Sequence, residues 1–136
     1  MPRRRVQPIQ SGTFTRNGSA ITNNAWKVVW HPAALKEYDD LVKDKNERVA
    51  IQRATEKLEA MGTRLGFPHQ SAVKGTATGI RELRPRGGGS PWRCLYAQAE
   101  RDTLVVLAVT PDGQASRRQF KQALGRAEDR LKKIKP

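Results

Sequence analysis

From Gly79 to Thr110 the chain repeats one pattern three times: a short run rich in β-branched, aromatic and aliphatic residues, closed by a turn. No other feature restricts its fold as much. The runs Gly79–Pro85, Pro91–Gln98 and Thr103–Thr110 predict three strands. The first two flank Arg86-Gly-Gly-Gly-Ser90, expected as a mobile hairpin loop, and the next two are joined by the tight turn Ala99–Asp102. Strands linked this closely pair as an antiparallel meander. Such a sheet needs an apolar cover for its buried side.

Helical patterns on either side supply that cover. Trp26-Lys-Val-Val-Trp30 predicts a first strand, and His31-Pro32 ends it, with Pro32 suited to a first helical turn. Leu35, Tyr38, Leu41 and Val42 recur at helical spacing, predicting a helix over 32–43. Asp44-Lys-Asn-Glu47 has the form of a capping box. It opens a second helix over 45–61, apolar at Val49, Ile51, Ala54, Leu58 and Met61 and closed by Gly62. Two helices joined this tightly form an antiparallel hairpin. Thr63–Thr78 is expected to be an irregular polar connection. A second capping box, Ser116-Arg-Arg-Gln119, begins a last helix with Phe120, Ala123, Leu124, Ala127, Leu131 and Ile134 on one face. The expected fold is α+β in the order β-α-α-β-β-β-α, a curved antiparallel sheet with helices packed on one face. The first strand adds to the meander. Residues 1–24 show no hydrophobic period and are expected as a flexible basic arm ahead of a single domain, 25–136.

Charge narrows the function. The 136 residues carry a net charge of +13, distributed as +4 over 1–24, zero over 25–62 and +9 over 63–136. A neutral helical segment followed by a strongly basic half is an electrostatic footprint for a polyanion, most simply nucleic acid, or for an acidic protein that covers the same face. No apolar run is long enough to span a membrane, so no membrane partner is expected. The single cysteine excludes an intrachain disulfide and a multi-cysteine zinc site, and it suits a reducing, cytoplasmic setting. The sequence holds no carboxylate pair, metal-ligand spacing, nucleotide-cradling glycine motif or Ser-His-Asp set, so no cofactor or metal is expected.

Cations crowd the meander: Arg81, Arg84, Arg86 and Arg93. Side chains alternate along a strand, so Ile80, Glu82 and Arg84 share one face, and Arg93, Leu95 and Ala97 share a face of the next strand. If Arg84 and Arg93 meet across the hairpin, two guanidinium forks line one end of the sheet and match the oxygens of a phosphate. The alternative is that both are solvated or paired with Glu82 and Glu100. His69, in the loop before the meander beside Lys74, could move a proton near neutral pH, or be merely exposed. Tyr96 could stack on a base or pack in the core. Trp92 is expected to anchor the hairpin, Cys94 to be a small buried apolar group, and His31 to serve local structure.

The chain resembles RelE/HigB-type toxins, motif by motif and in order over residues 26–131. Trp26-Lys-Val-Val-Trp-His-Pro-Ala-Ala-Leu-Lys-Glu-Tyr-Asp-Asp-Leu41 is similar to their opening strand and helix. Phe67-Pro-His-Gln-Ser-Ala-Val-Lys-Gly75 resembles their "LPH…K-L-G" loop. Gly79-Ile-Arg-Glu-Leu-Arg84 resembles "GLYELR", and Pro91-Trp-Arg-Cys-Leu-Tyr96 resembles "YRVLY". Ser116-Arg-Arg-Gln-Phe-Lys-Gln-Ala-Leu-Gly-Arg-Ala127 resembles the terminal "P-x-x-E-I-x-x-A-x-x-R" helix. The resemblance implies the toxin of a type II toxin–antitoxin pair, a metal-independent endoribonuclease (mRNA interferase, a hydrolase) that cleaves mRNA on the ribosome. Its partners would be mRNA, the ribosome and a cognate antitoxin, expected to be a helix-turn-helix protein. Carried over by position, Arg84 and Arg93 would hold the scissile phosphate, with His69 and Lys74 beside them as catalytic groups. Arg81, Arg86, Tyr96, Arg117 and Arg118 would contact RNA. The chain departs from the family where many relatives carry a lysine-rich run after the last strand: it reads Val109-Thr-Pro-Asp-Gly-Gln-Ala-Ser-Arg-Arg118. Arginines restore the charge but carry protons poorly, and Asp112 suits a turn better than a general base. Two alternatives follow: a non-cleaving, ParE-like gyrase inhibitor, and a phage-derived basic nucleic-acid-binding module.

Overall fold

A computed structural model describes residues 26–75 and 79–135. The proposed arm, 1–24, and Thr76–Thr78 lie outside the described residues. The elements follow as β1 (Lys27–Trp30), α1 (Pro32–Leu41), α2 (Lys45–Met61), β2 (Gln70–Ala72), β3 (Arg81–Leu83), β4 (Trp92–Glu100), β5 (Thr103–Pro111) and α3 (Arg117–Ile134). This is a small α+β fold with a five-stranded sheet in the order β1-β5-β4-β3-β2. The meander β3-β4-β5 is antiparallel as expected, and β1 adds to it beside β5. Two points of the strand pairing differ from the expectation. β1 runs parallel to β5, which makes the sheet mixed, and the connection after α2 contributes the edge strand β2, antiparallel to β3.

Each helix starts where its cap predicts. The Asp44 carboxylate accepts from the N–H groups of Asn46 and Glu47, and the Ser116 hydroxyl accepts from Gln119 N–H. His31 caps α1: its Nδ1 accepts from Ala33 N–H at 3.0 Å. The α1–α2 hairpin is locked by Arg48. Its guanidinium lies 4.3 Å from the centre of the buried Tyr38 ring and donates to Val42 O and Asp39 Oδ1. Gly62 ends α2 at φ 57°, and a Cβ there would meet the Trp26 ring at 2.1 Å, so only glycine serves.

Two apolar layers form, one on each face of the sheet. The hairpin packs Ala34, Tyr38, Ile51 and Leu58 on Val28, Cys94, Tyr96, Leu104 and Val106. The alternate residues Leu95, Ala97, Val105 and Leu107 face the other way and take Ala123, Ala127 and Leu131 of α3. The hairpin thus occupies one face, while α3 covers the opposite one. Periodicity identifies a helix's apolar stripe but not the face it will cover. Tyr96 pairs with Val106 and Leu95 with Ala108, so Leu107 is an extra residue in β5, a β-bulge.

The bulge matters because β1 is short. Its pairing reaches only Val106, and His31 N–H donates to Val106 O. Beyond that point side chains take over the open edge of β5. Glu37 of α1 accepts from Val109 N–H at 3.0 Å, and Arg130 of α3 donates to Leu107 O at 2.7 Å. The other oxygen of Glu37 accepts from Arg126 Nε (3.0 Å) and Arg130 Nη2 (2.8 Å). A single carboxylate therefore ties both helical layers to the sheet edge. Burial pushes the Glu37 carboxyl up, but hydrogen bonds from Arg130 and Val109 N–H, with the charges of Arg126 and Arg130, prevail and hold it below its ordinary value.

Glu37→Ala leaves one edge amide and two guanidiniums without their acceptor. It should cost about 2–4 kcal/mol by urea denaturation, and Glu37→Gln, which keeps an acceptor for Val109 N–H, should cost less. Acid should destabilise the fold in two stages. Burial first, then the charge of Arg130, hold the His31 pKa below its ordinary 6.5, so the unfolded chain takes up that proton first. The cap's contribution is complete above pH 6.5 and declines as pH falls further. The Glu37 contribution is complete above the ordinary 4.5 and is lost below it. Urea midpoints measured against pH should show both stages, and His31→Asn, which keeps a capping side chain, should remove the upper one alone.

Candidate functional site

The sequence left open whether Arg84 and Arg93 meet across the hairpin; in the structure both line one cleft. Glu82, Arg84 and Arg93 occupy the α3 side of the sheet, and Glu82 stands between the two arginines. Its Oε2 lies 3.6 Å from Arg84 Nη1 and its Oε1 lies 3.5 Å from Arg93 Nε, while Ser71 Oγ donates to Oε2 at 2.8 Å. Glu82 is thus the carboxylate that reaches the pair, one of the two alternatives left by the sequence. The two guanidiniums converge on one side of the molecule with an internal anion between them.

Their environments differ. Arg93 is 6% exposed, and its Nη1 donates to Ser90 O (2.7 Å) and Trp92 O (2.8 Å). Burial first, then the neighbouring Arg84 charge, pull its pKa below the ordinary arginine value. Arg84 is the accessible member. Its Nε donates to Pro68 O at 3.0 Å, and its guanidinium lies 5.2 Å from the centre of the Phe67 ring. On its other side is Gly88 at φ 102°, where a Cβ would come within 2.7 Å of Arg84 Nη2. The triple-glycine loop therefore gives Arg84 room. The loop is held at both ends by Glu47 of α2, which accepts from Arg86 Nη2 and from Ser90 Oγ at 2.7 Å.

Arg84 and Arg93 open into a cleft of about 740 Å³. Its cations are Lys74, Arg84, Arg93, Arg117 and Lys121, its acids Glu82 and Asp112, and Phe120 and Leu124 supply its apolar wall. Asp112 is already engaged as a turn former, accepting from Gln114 and Ala115 N–H. Chemically, the cleft is a cationic seat whose carboxylates are occupied by internal partners. It can hold an anion, and phosphate oxygens fit guanidinium forks.

The remaining residues singled out in the sequence scatter. His69 lines a neighbouring cavity on the far side of Arg84, with Arg86, Arg53 and Lys57. Arg81 donates to Gln70 Oε1 at 2.6 Å, away from the cleft. Arg118 does not line the cleft that Arg117 lines. Tyr96 is 3% exposed, beneath the hairpin. Burial, opposed by Arg81, pushes its hydroxyl up to about 12, so it serves packing and offers no ring to a base. Cys94 is buried as expected, its thiol pushed up to about 12 by burial against the charge of Arg93. Among the described residues no group of three or more His, Cys, Asp or Glu could hold a metal ion, and no helix is long and apolar enough to cross a membrane. The sequence reading missed Lys121. The available signal was its spacing of four from Arg117 on a predicted helix, which puts both on one side.

The division between the two arginines is testable. Arg93→Ala removes the donor to two carbonyls and should lower stability by about 2–3 kcal/mol in urea melts. Arg84→Ala loses the part-buried pair with Glu82, the bond to Pro68 O and the contact with the Phe67 ring, and should cost less than Arg93→Ala, about 1–2 kcal/mol.

A family described as "Phage derived protein Gp49-like (DUF891)" matches residues 39–132, a span that includes every residue lining the cleft. No curated protein matches the chain. With more than half its length matched, the chain belongs to the Gp49-like family of phage-derived proteins.

Proposed function

We propose that this chain is a basic nucleic-acid-binding module that grips the sugar–phosphate backbone of RNA in the cleft between β3, β4 and the start of α3. The observation that carries the reading is the convergence of Lys74, Arg84, Arg93, Arg117 and Lys121 on one cavity that holds only two acids, both engaged internally. Such a site gains by releasing the counterions of a polyanion. Membership of a phage-derived family accords with the reading.

A second reading, an mRNA-cleaving toxin held by a cognate antitoxin, is favoured by one observation: Arg84 and Arg93 converge as that resemblance implies. Cleavage requires more than a grip, because a proton must leave the 2′-hydroxyl and another must reach the leaving oxygen. The arginines of the cleft hold their protons too tightly for this work, and His69 lies in the adjoining cavity. The groups present thus support binding more directly than proton transfer.

Fluorescence anisotropy with a labelled RNA oligonucleotide should give an affinity that falls linearly on a log–log plot against salt. The slope should be about −2 to −3.5, as expected for three to five phosphate contacts on a single strand. Arg117→Ala with Lys121→Ala should weaken binding and flatten that slope by about 1–1.5. RNA recovered intact supports the binding module. Cleavage mapped on translating ribosomes and abolished by Arg84→Ala would establish the toxin reading instead. A salt-independent affinity, or none, would overturn both.

A further inference from the structure

Beyond Arg84 the basic surface continues. Arg84 forms a wall shared by the cleft and a second cavity of about 310 Å³ between α2 and the turn at residues 67–69. This second cavity has an apolar floor, Ala54, Leu65 and Leu83, and a cationic rim, Arg53, Lys57 and Arg86, with Glu56 as its acid. Its volume is of the size that takes a small ligand. Beside it stands Phe67, 72% exposed, the most exposed of the large hydrophobic side chains among the described residues. One side of its ring is already met by the Arg84 guanidinium, at 5.2 Å from the ring centre. An aromatic ring left in water next to a cationic track has no folding rationale in the core, since it belongs to neither apolar layer.

We propose that this region is a second nucleotide subsite for a single-stranded chain. Phe67 is a platform for a base, and Arg53 and Lys57 hold the phosphate that follows. The inference rests on the binding reading above and adds a strand preference to it. A strand whose backbone lies in the cleft crosses Arg84, and its next base meets the open part of the Phe67 ring. Stacking of this kind accepts any base, because every base has a π face, and it requires that the base be unpaired. A duplex keeps its base faces covered and can use only the cations.

The test uses three probes on the full chain: a mixed-sequence RNA of roughly twelve nucleotides, its perfect duplex, and inorganic polyphosphate, which has charge but no bases. Wild type should bind the single strand at least about tenfold more tightly than the duplex. Phe67→Ala should weaken the single strand about five- to a hundredfold and leave duplex and polyphosphate unchanged, whereas Phe67→Trp should retain the single-strand affinity. Arg53→Ala with Lys57→Ala should weaken the single strand more than the duplex. If Phe67→Ala binds the single strand like wild type, or loses polyphosphate to the same degree, the platform is overturned, the latter result making Phe67 a mere support for Arg84. Weakening of all three probes by Arg117→Ala with Lys121→Ala would in that case leave the cleft reading standing. Should wild type bind none of the three, the cleft reading fails and the subsite with it.

Discussion

The fold turns on how the edge of β5 is finished. β5 lies between β4 and the parallel edge strand β1, yet β1 covers only its segment from Thr103 to Val106. Past the bulge at Leu107 the backbone would present an amide and a carbonyl with no strand beside them. Buried backbone groups left in that state cost about as much as a lost hydrogen bond each. Glu37 and Arg130 remove the cost by acting as a side-chain extension of the ladder. They come from helices on opposite faces of the sheet, and they bond to each other. Edge closure and the joining of the two layers are therefore one interaction. It also fixes α3 at Arg126 and Arg130, and a helix anchored there holds its first turns, with Arg117 and Lys121, over the cleft.

In the cleft, like charges are brought together and must be reconciled. Arg84 and Arg93 would repel, and Arg93 is largely out of water, so Glu82 between them is a structural necessity before it is anything else. The same carboxylate opposes an incoming phosphate. On the proposed reading, number and exposure tip the balance toward the phosphate. Lys74, Arg117 and Lys121 add three cations that Glu82 does not neutralise, and Arg84 keeps an open side. The labour is divided. Arg93 ties the hairpin's carbonyls and supplies a fixed field, while Arg84, seated between Phe67 and Gly88, is placed to touch a ligand.

Much of this was legible in the residues. The meander followed from three apolar runs with short links, and the helix starts followed from Asp44 and Ser116 as caps. Strand alternation put Glu82 with Arg84, and Arg93 with Leu95, but left open whether the two sets share a face. What escaped shares a physical cause. β2 is only three residues, Gln-Ser-Ala, too short and polar to show alternation, and it exists because β3 offers it an edge. The parallel sense of β1 and the placing of α3 on the other face depend on which partner each apolar stripe meets, information that no local window contains. Lys121 is a different case, since its spacing of four from Arg117 on a predicted helix was there to be read. His69 and Tyr96 were near the right residues in sequence, but Arg84 stands between His69 and the cleft, and Tyr96 points into the core beneath the hairpin.

The boundaries of the family match bear on how function sits in this fold. Residues 39–132 contain every group of the cleft, the rim of the second cavity and Phe67. They omit β1 and all but the last three residues of α1, Glu37 included. The chemistry of the site thus lies within the shared span, while the closure of the β5 edge draws on residues just upstream of it. The two are coupled through α3, whose last turns meet Glu37 and whose first turns wall the cleft. The helix that Glu37 anchors at Arg126 and Arg130 is thus the same one that carries Arg117 and Lys121. A chain that keeps every cation of the site but lacks the carboxylate at the far end of α3 would hold the same charges less firmly in place. Affinity for a polyanion depends on that placement as well as on the charge itself.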